Sequence, residues 1–233
     1  KPGWRLYGFH LACALIIWTR PVNAIAVGGL YVWLFSVCPQ TFRTFRFWAV
    51  AAITFLVVAA PQFLYWQFVY GQWIVYAYGN EGFSNWAHPD FMSELFSPEF
   101  GLVAHAPAVA LLPLGLWTLV KSTKYLGYIL LGVLVLALYS CAAWHAPGFG
   151  SSYGLRPMAE YMPFLAVAIW SFLSYPGQKA LQWRCAVLPL LVLFSFINYR
   201  IMMQFSGCHA REIWNWSEYV NDFTDAFFGH LDR

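Results

Sequence analysis

The residues best suited to chemistry in this 233-residue chain lie in two short polar segments set between long apolar ones. The first, Tyr78-Gly-Asn-Glu-Gly-Phe-Ser-Asn-Trp-Ala-His-Pro-Asp90, is dense in polar groups, glycines and aromatic rings. Glu81, Asp90 and His88 are of the types that take a proton from a hydroxyl or amide, or that ligate a metal. A plainer task suits the carboxylates too, solvating a loop or capping a helix, because no pairwise spacing here is diagnostic. The second segment is Phe149-Gly-Ser-Ser-Tyr-Gly-Leu-Arg-Pro-Met-Ala-Glu-Tyr-Met-Pro163, with Arg156 and Glu160 four apart at the start of an apolar run. Glycines and serines ahead of a helix expose N–H donors, and an arginine adds a bidentate partner for phosphate. This is an anion site in outline, with Arg156 on the phosphate and Tyr153 and Glu160 as further contacts. Its plainer reading is a loop-to-helix junction in which Arg156 pairs with Glu160 or with neighbouring loops. Arg20, between two short apolar runs, is either a functional charge at membrane depth and a second phosphate ligand, or a snorkelling side chain at a helix end.

Three histidines, His10, His105 and His145, sit in or beside apolar runs, where imidazole could ligate haem or a chlorophyll-type pigment. A bis-histidine haem needs two of them at matching depth on facing helices; His105 and His145 both fall toward the same side. Histidines bonded to backbone are the commoner use of such positions. The five cysteines, Cys13, Cys38, Cys141, Cys185 and Cys208, show no metal or disulfide spacing, and no metal site is expected; a divalent cation is left open. Asn215-Trp-Ser217 fits a glycosylation acceptor pattern, which matters only on a secretory side. A net charge of +3 without a concentrated basic face excludes nucleic acid as a partner.

These residues must be positioned by a membrane protein. Hydrophobic residues make up 61% of the chain and charged ones 10%, against about 25% charged in soluble globular chains, too few to cover a water-facing surface. A membrane helix needs about 20 mostly apolar residues. Five stretches approach that length: Phe47 to Tyr65, Gly101 to Val120, Tyr125 to Trp144, Met158 to Tyr175, and Cys185 to Met203. Leu6 to Val37 is too long for one helix and is broken at Arg20-Pro21, where proline cannot continue the preceding helix. Two short helices there bring the expected number of spans to about seven.

Charge alternation supplies the orientation. Arg43 and Arg46, Lys121 and Lys124, and Lys179 and Arg184 mark three loops without acids, as on a cytoplasmic side, joined there by Lys1 and Arg5. All 10 acidic residues fall in the alternate segments: Glu81, Asp90, Glu94, Glu99, Glu160 and the tail from Glu212 to Asp232. The acidic loops and the C-terminus are thus expected outside. In the first outer segment Asp90-Phe-Met-Ser-Glu-Leu-Phe-Ser97 begins with a capping residue and is expected to put Phe91, Leu95 and Met92 on one side, a short helix lying in the interface. Trp214, Trp216, Tyr219, Phe223 and Phe227 give the tail a similar amphipathic spacing. Without an internal repeat or linker, the expectation is an all-α polytopic bundle in one transmembrane domain over residues 1–233, with interfacial helices on the external side.

Several of these segments carry a family resemblance. Trp18-Thr-Arg-Pro-Val-Asn23, Ala60-Pro-Gln-Phe-Leu-Tyr-Trp66, Tyr78-Gly-Asn-Glu-Gly-Phe83, Leu95-Phe-Ser-Pro-Glu-Phe-Gly-Leu102 and Gly150-Ser-Ser-Tyr-Gly-Leu-Arg-Pro157 together resemble the later membrane helices of bacterial GT-C glycosyltransferases. These are relatives of the dolichyl-phosphate-mannose protein mannosyltransferases and of the aminoarabinose transferase. The resemblance implies a bacterial inner-membrane enzyme that passes a sugar from a polyprenyl-phosphate donor to an acceptor on the outer side. It also implies that the catalytic acid lies in an external loop upstream of Lys1, so that the chain is expected to be part of a longer protein. Among the residues present, Glu81 and Asp90 are the substitutes for that acid, Arg156 and then Arg20 would stabilise the leaving phosphate, and Glu81, His88, Tyr153 and Glu160 would contact substrate. A non-catalytic subunit of a larger membrane complex is the first alternative, and a haem- or pigment-binding membrane protein the second. A transporter fits less well, since the apolar helices hold almost no ionisable residues.

Overall fold

The computed structural model describes residues 4–76, 78–149, 153–175, 178–204 and 215–228. Every regular element among them is helical. The chain divides into two compact units, Lys1–Gly82 and Phe83–Arg233. Of the residues singled out above, Lys1, Gly150, Ser151, Ser152, Cys208, Glu212, Trp214 and Asp232 lie outside the described residues, as do the side chains of Lys179, Arg184 and Phe227.

In the first unit, α1 (Trp4–Thr19) ends before Arg20, whose extended backbone leads into a single 3-10 turn, Pro21–Asn23, and then α2 (Ala24–Val37). The break falls where the proline places it, because Pro21 has no N–H for the helix and disfavours helical geometry in the residue before it. A second proline, Pro39, opens the short α3 (Pro39–Phe42), after which α4 (Phe45–Tyr70) runs without interruption through Pro61. It stops at Gly71, whose φ of 68° only glycine takes freely and whose N–H closes on the Gln67 carbonyl at 3.1 Å. Helices α1 and α4 run parallel: Arg46 donates to the Tyr7 hydroxyl near their starts, and Trp18 meets Phe63 at 5.3 Å further along.

In the second unit, a loop leads to α5 (Phe91–Phe96), α6 (Leu102–His105) and the 3-10 turn Pro107–Leu111, which feeds α7 (Leu112–Ser122). Then come α8 (Lys124–Ala142), a 3-10 stretch Arg156–Tyr161 continuing as α9 (Met162–Leu173), α10 (Gln178–Gln204) and α11 (Trp216–Phe228). The expected span Gly101 to Val120 is therefore not one helix. Pro107 forces Ala106 to φ −135° and ψ 69°, so the segment changes direction there. The expected span Met158 to Tyr175 likewise begins as a 3-10 turn and becomes α-helical only from Met162, after Pro157 and before Pro163.

Helices α7 and α9 pack in parallel and very closely. A Cβ on Gly115 would sit 2.4 Å from the Ala168 carbonyl oxygen, so only glycine permits this approach. Thr118 Oγ1 donates to Ser171 Oγ at 3.2 Å further down the same seam. At that end Lys121 lies 3.9 Å from the centre of the Trp117 ring, and α8 runs back antiparallel from Lys124.

Three helices are long and apolar enough to cross a membrane: Phe45–Tyr70, Lys124–Ala142 and Cys185–Met203. Shorter apolar helices cover Arg5–Thr19, Pro21–Val37 and Pro107–Ser122. Leu56, Val57, Phe68, Val135, Leu136, Val192 and Phe196 project their side chains outward from the long ones, as suits a protein in contact with lipid.

Candidate functional site

The second unit gathers its polar groups at one end, where α8 and α10 finish and α7 and α9 begin. The last carbonyls of α8 lack intrahelical partners. They are taken instead by the loop before α5: Asp90 N–H donates to Ala142 at 3.2 Å, Asn85 N–H to Ala143 at 3.0 Å, and Asn85 Nδ2 to Trp144 at 2.9 Å. Tyr139 adds its hydroxyl to the Trp86 carbonyl at 2.6 Å. Rings fill the space between, with Phe83 stacked on Trp86 and meeting the edge of Trp144 at 4.9 Å.

Asp90 is the N-cap of α5, its carboxylate accepting from Ser93 N–H at 3.1 Å. Hydrogen bonding from the Ser93 side chain first, and then from its N–H, favours the ionised form and holds the Asp90 carboxyl below the usual range. The capping task proposed for Asp90 is thus the one its geometry serves. The face of α5 differs from the expectation: Met92 is 72% exposed, while Glu94 turns inward beside Phe91 and Leu95 and is only 1% exposed. Glu94 Oε1 accepts from Gly148 N–H at 3.1 Å, and Oε2 has no hydrogen-bond partner among the described residues. Burial pushes this carboxyl above its usual range. From the sequence Glu94 reads only as one of the acids of the outer segments, within the short interfacial helix. Its three-residue spacing from Phe91, on the apolar side of a short helix, was the available sign.

Gly148 sits at φ 69°, its Cα pressed against the Phe100 ring, where a Cβ would come within 2.6 Å. Phe149 follows with φ 58°, a conformation that costs a non-glycine residue, and its ring stacks on Trp144 at 5.2 Å. Arg156, exposed, directs Nη2 to the Phe149 carbonyl at 3.5 Å, a long bond that leaves most of its donors for other partners. Glu160 is exposed on the same 3-10 stretch. Tyr153 is half-buried: its hydroxyl lies 3.0 Å from Asn198 Oδ1 and 3.2 Å from the Asn198 carbonyl. Burial raises the pKa of Tyr153. Asn198, a polar residue inside α10, was not singled out from the sequence because hydropathy conceals one amide among apolar neighbours.

His105 donates through Nδ1 to the Gly101 carbonyl at 3.0 Å and meets the Tyr153 ring edge-on at 4.6 Å. Tyr219 of α11 completes this cluster, donating to the Ala104 carbonyl at 2.7 Å and packing with Ile197 and Ile201. His145 is exposed beside Trp144, and His88 is exposed after Trp86. His105 thus serves a backbone carbonyl, the commoner use weighed above. No group of three or more His, Cys, Asp or Glu suited to a metal occurs among the described residues.

The remaining candidates belong to the first unit. Glu81 is exposed at the end of the Tyr78–Glu81 turn, its carbonyl accepting from the Tyr76 hydroxyl. Arg20 is half-exposed at the corner between α1 and α2. His10 is 2% exposed, shares a 2.7 Å hydrogen bond between Nδ1 and the Tyr31 hydroxyl, and is ringed by Phe9, Tyr31 and Phe47.

The chain matches no family model, no curated protein and no solved structure.

What the second unit's end can do chemically follows from its parts. It offers an exposed guanidinium at the start of the Arg156–Tyr161 stretch, one turn before exposed Glu160, and an exposed His145 elsewhere at the same end. A shallow apolar groove of about 610 Å³ runs along α10, lined by Leu188, Pro189, Val192, Leu193 and Phe196. An exposed arginine at a polar, otherwise largely acidic end, with apolar helices beneath it, offers one cationic contact to the anionic head of an amphiphile.

Proposed function

We propose that this chain is the membrane portion of a GT-C-type glycosyltransferase, which passes a sugar from a polyprenyl-phosphate donor to an acceptor on the outer side of a bacterial inner membrane. In this reading the chain crosses about seven times, with α1, α2, α4, α7 and its preceding turn, α8, α9 and α10 as spans. The observation that carries it is the one-sided arrangement of the second unit. Asp90, Glu94, Glu99 and Glu160 and most of the hydrogen-bonded loop residues of that unit share the end where Arg156 is exposed, and Lys121 and Lys124 lie at the opposite end of α7 and α8. The order of the motifs that resemble this family adds support.

The roles follow from the reaction. Cleavage of the sugar–phosphate bond leaves a phosphate whose negative charge needs a preorganised cation. Arg156 is assigned that task, with Arg20 as the alternative, and the apolar helices would accept the isoprenoid tail. His88, Tyr153 and Glu160 are placed as contacts to sugar or acceptor. Asp90 is a poor base, since hydrogen bonds from the Ser93 side chain and N–H stabilise its ionised form and so weaken its pull on a proton. Glu81 is the exposed carboxylate of the other unit and keeps its place as a candidate base.

The test is saturable binding of a short-chain polyprenyl phosphate to the purified chain in lipid nanodiscs, with the matching polyprenol as control. Arg156→Ala is expected to weaken phosphate-dependent binding about tenfold or more, the loss of one charge-assisted bidentate contact. Equal binding of the alcohol and the phosphate would overturn the reading and leave the non-catalytic subunit.

A further inference from the structure

The buried Glu94 has no evident reason to be an acid. Its carboxyl is buried against the Ala146–Phe149 turn, where the Gly148 N–H is its one hydrogen-bond partner and no cation pairs with it among the described residues. An ionised carboxylate so placed is expensive, because a single neutral donor replaces a full hydration shell. A neutral carboxylic acid at the same spot keeps its carbonyl oxygen on Gly148 and leaves only a hydroxyl unpaired.

We propose that Glu94 is an uncharged carboxylic-acid latch that positions the Ala146–Phe149 turn and, through the Phe149 carbonyl, the Arg156 guanidinium. The inference rests on the reading of Arg156 as the phosphate ligand. The turn needs a latch because Gly148 and Phe149 both hold positive φ, and the second does so against its own side chain. Glu94 fastens the first of the two, Trp144 stacks on the second, and Arg156 reaches the carbonyl of the second. The elements packed on α5 carry few titratable groups at this end. They are Asp90 capping α5, His105 on α6 and Tyr139 and the buried thiol Cys141 on α8, with His145 preceding the turn. Of these, Asp90 acts on Glu94 by charge, and its negative sign opposes ionisation. Burial acts in the same direction and more strongly.

Two measurements on the full chain test this, neither of them needing sugar transfer. In the infrared difference spectrum of wild type minus Glu94→Gln at neutral pH, a protonated carboxyl C=O band is expected; carboxylate bands in its place would overturn the neutral latch. Reaction of Arg156 with phenylglyoxal, followed by peptide mass spectrometry, reads the tether. Glu94→Ala should change the rate at Arg156 about tenfold, whereas Glu94→Gln, which keeps an uncharged acceptor for Gly148, should match wild type. Unchanged Arg156 reactivity in a folded Glu94→Ala would refute positioning. If the latch behaves as expected while polyprenyl phosphate fails to bind, the proposed function falls and the latch stands.

Discussion

The two units are joined internally by different means. In Lys1–Gly82 the contacts between helices are largely ring on ring: His10 meets Phe47 at 4.6 Å, Phe47 in turn meets Tyr31, Phe42 and Trp48 at 6.0, 4.7 and 5.3 Å, and Trp18 meets Phe55 and Phe63. At the polar end of Phe83–Arg233 the joins are donors placed on backbone carbonyls far away in sequence: Asn85 on Ala143 and Trp144, Tyr139 on Trp86, Tyr219 on Ala104. Rings reward volume and tolerate small shifts in register, whereas a carbonyl accepts a donor only over a narrow range of distance and angle. The first unit is thus specified by shape, and the end of the second by hydrogen-bond geometry.

Mutations can break or sharpen that contrast. Phe47→Ala, which empties a fully buried ring position, should have the largest effect, about 4 kcal/mol by thermal unfolding in detergent. Asn85→Ala removes little volume yet strips the Nδ2 donor from Trp144 at the end of α8, and should cost about 2 kcal/mol, with Asn85→Asp failing to restore it because that donor is gone. A loss from Asn85→Ala equal to that from Phe47→Ala, or none at all, would dissolve the distinction. The finest test uses two acids four residues apart. Asp90 ionises more readily in the folded state, so its contribution is present above the ordinary carboxylate range and fades as the pH falls through its lowered value. Glu94 ionises less readily, so the folded state binds the extra proton, and its contribution is present at low pH and is lost as the pH rises through its raised value. Asp90→Ala, worth about 1 kcal/mol as a lost cap, should therefore lose its effect on acidification. Glu94→Gln should flatten the decline of stability toward neutral pH, and parallel pH curves for wild type and both variants would contradict this.

Much of the framework was legible. The break at Arg20-Pro21, the cap at Asp90 and the long apolar helices α4, α8 and α10 follow from proline sterics, side-chain capping and hydropathy alone. The same rules failed at Pro107, where apolar composition from Gly101 to Val120 concealed a change of direction that the proline itself announced. Proline is also not uniform: Pro61 and Pro189 lie inside uninterrupted helices, because surrounding context decides whether the missing N–H ends the helix or only bends it. Within the candidate site, Arg156 is exposed, with one long bond to the Phe149 carbonyl. The buried Glu94 and the Tyr153–Asn198 pair escaped notice, since both depend on partners more than 40 residues away, which no local pattern encodes.

The caps on α8 bear on the order of events during synthesis. Asn85 precedes its acceptor Trp144 by 59 residues. A chain made from its amino terminus presents these donors well before the carbonyls they will occupy exist. Until then the segment around Asn85 has nothing to fasten to, and a ribosome-bound product stopped short of α8 would be open to protease there. Completion of α8 closes that window in a single step, so the cleavage pattern of nascent chains of increasing length would date the moment when this end of the protein becomes a structure.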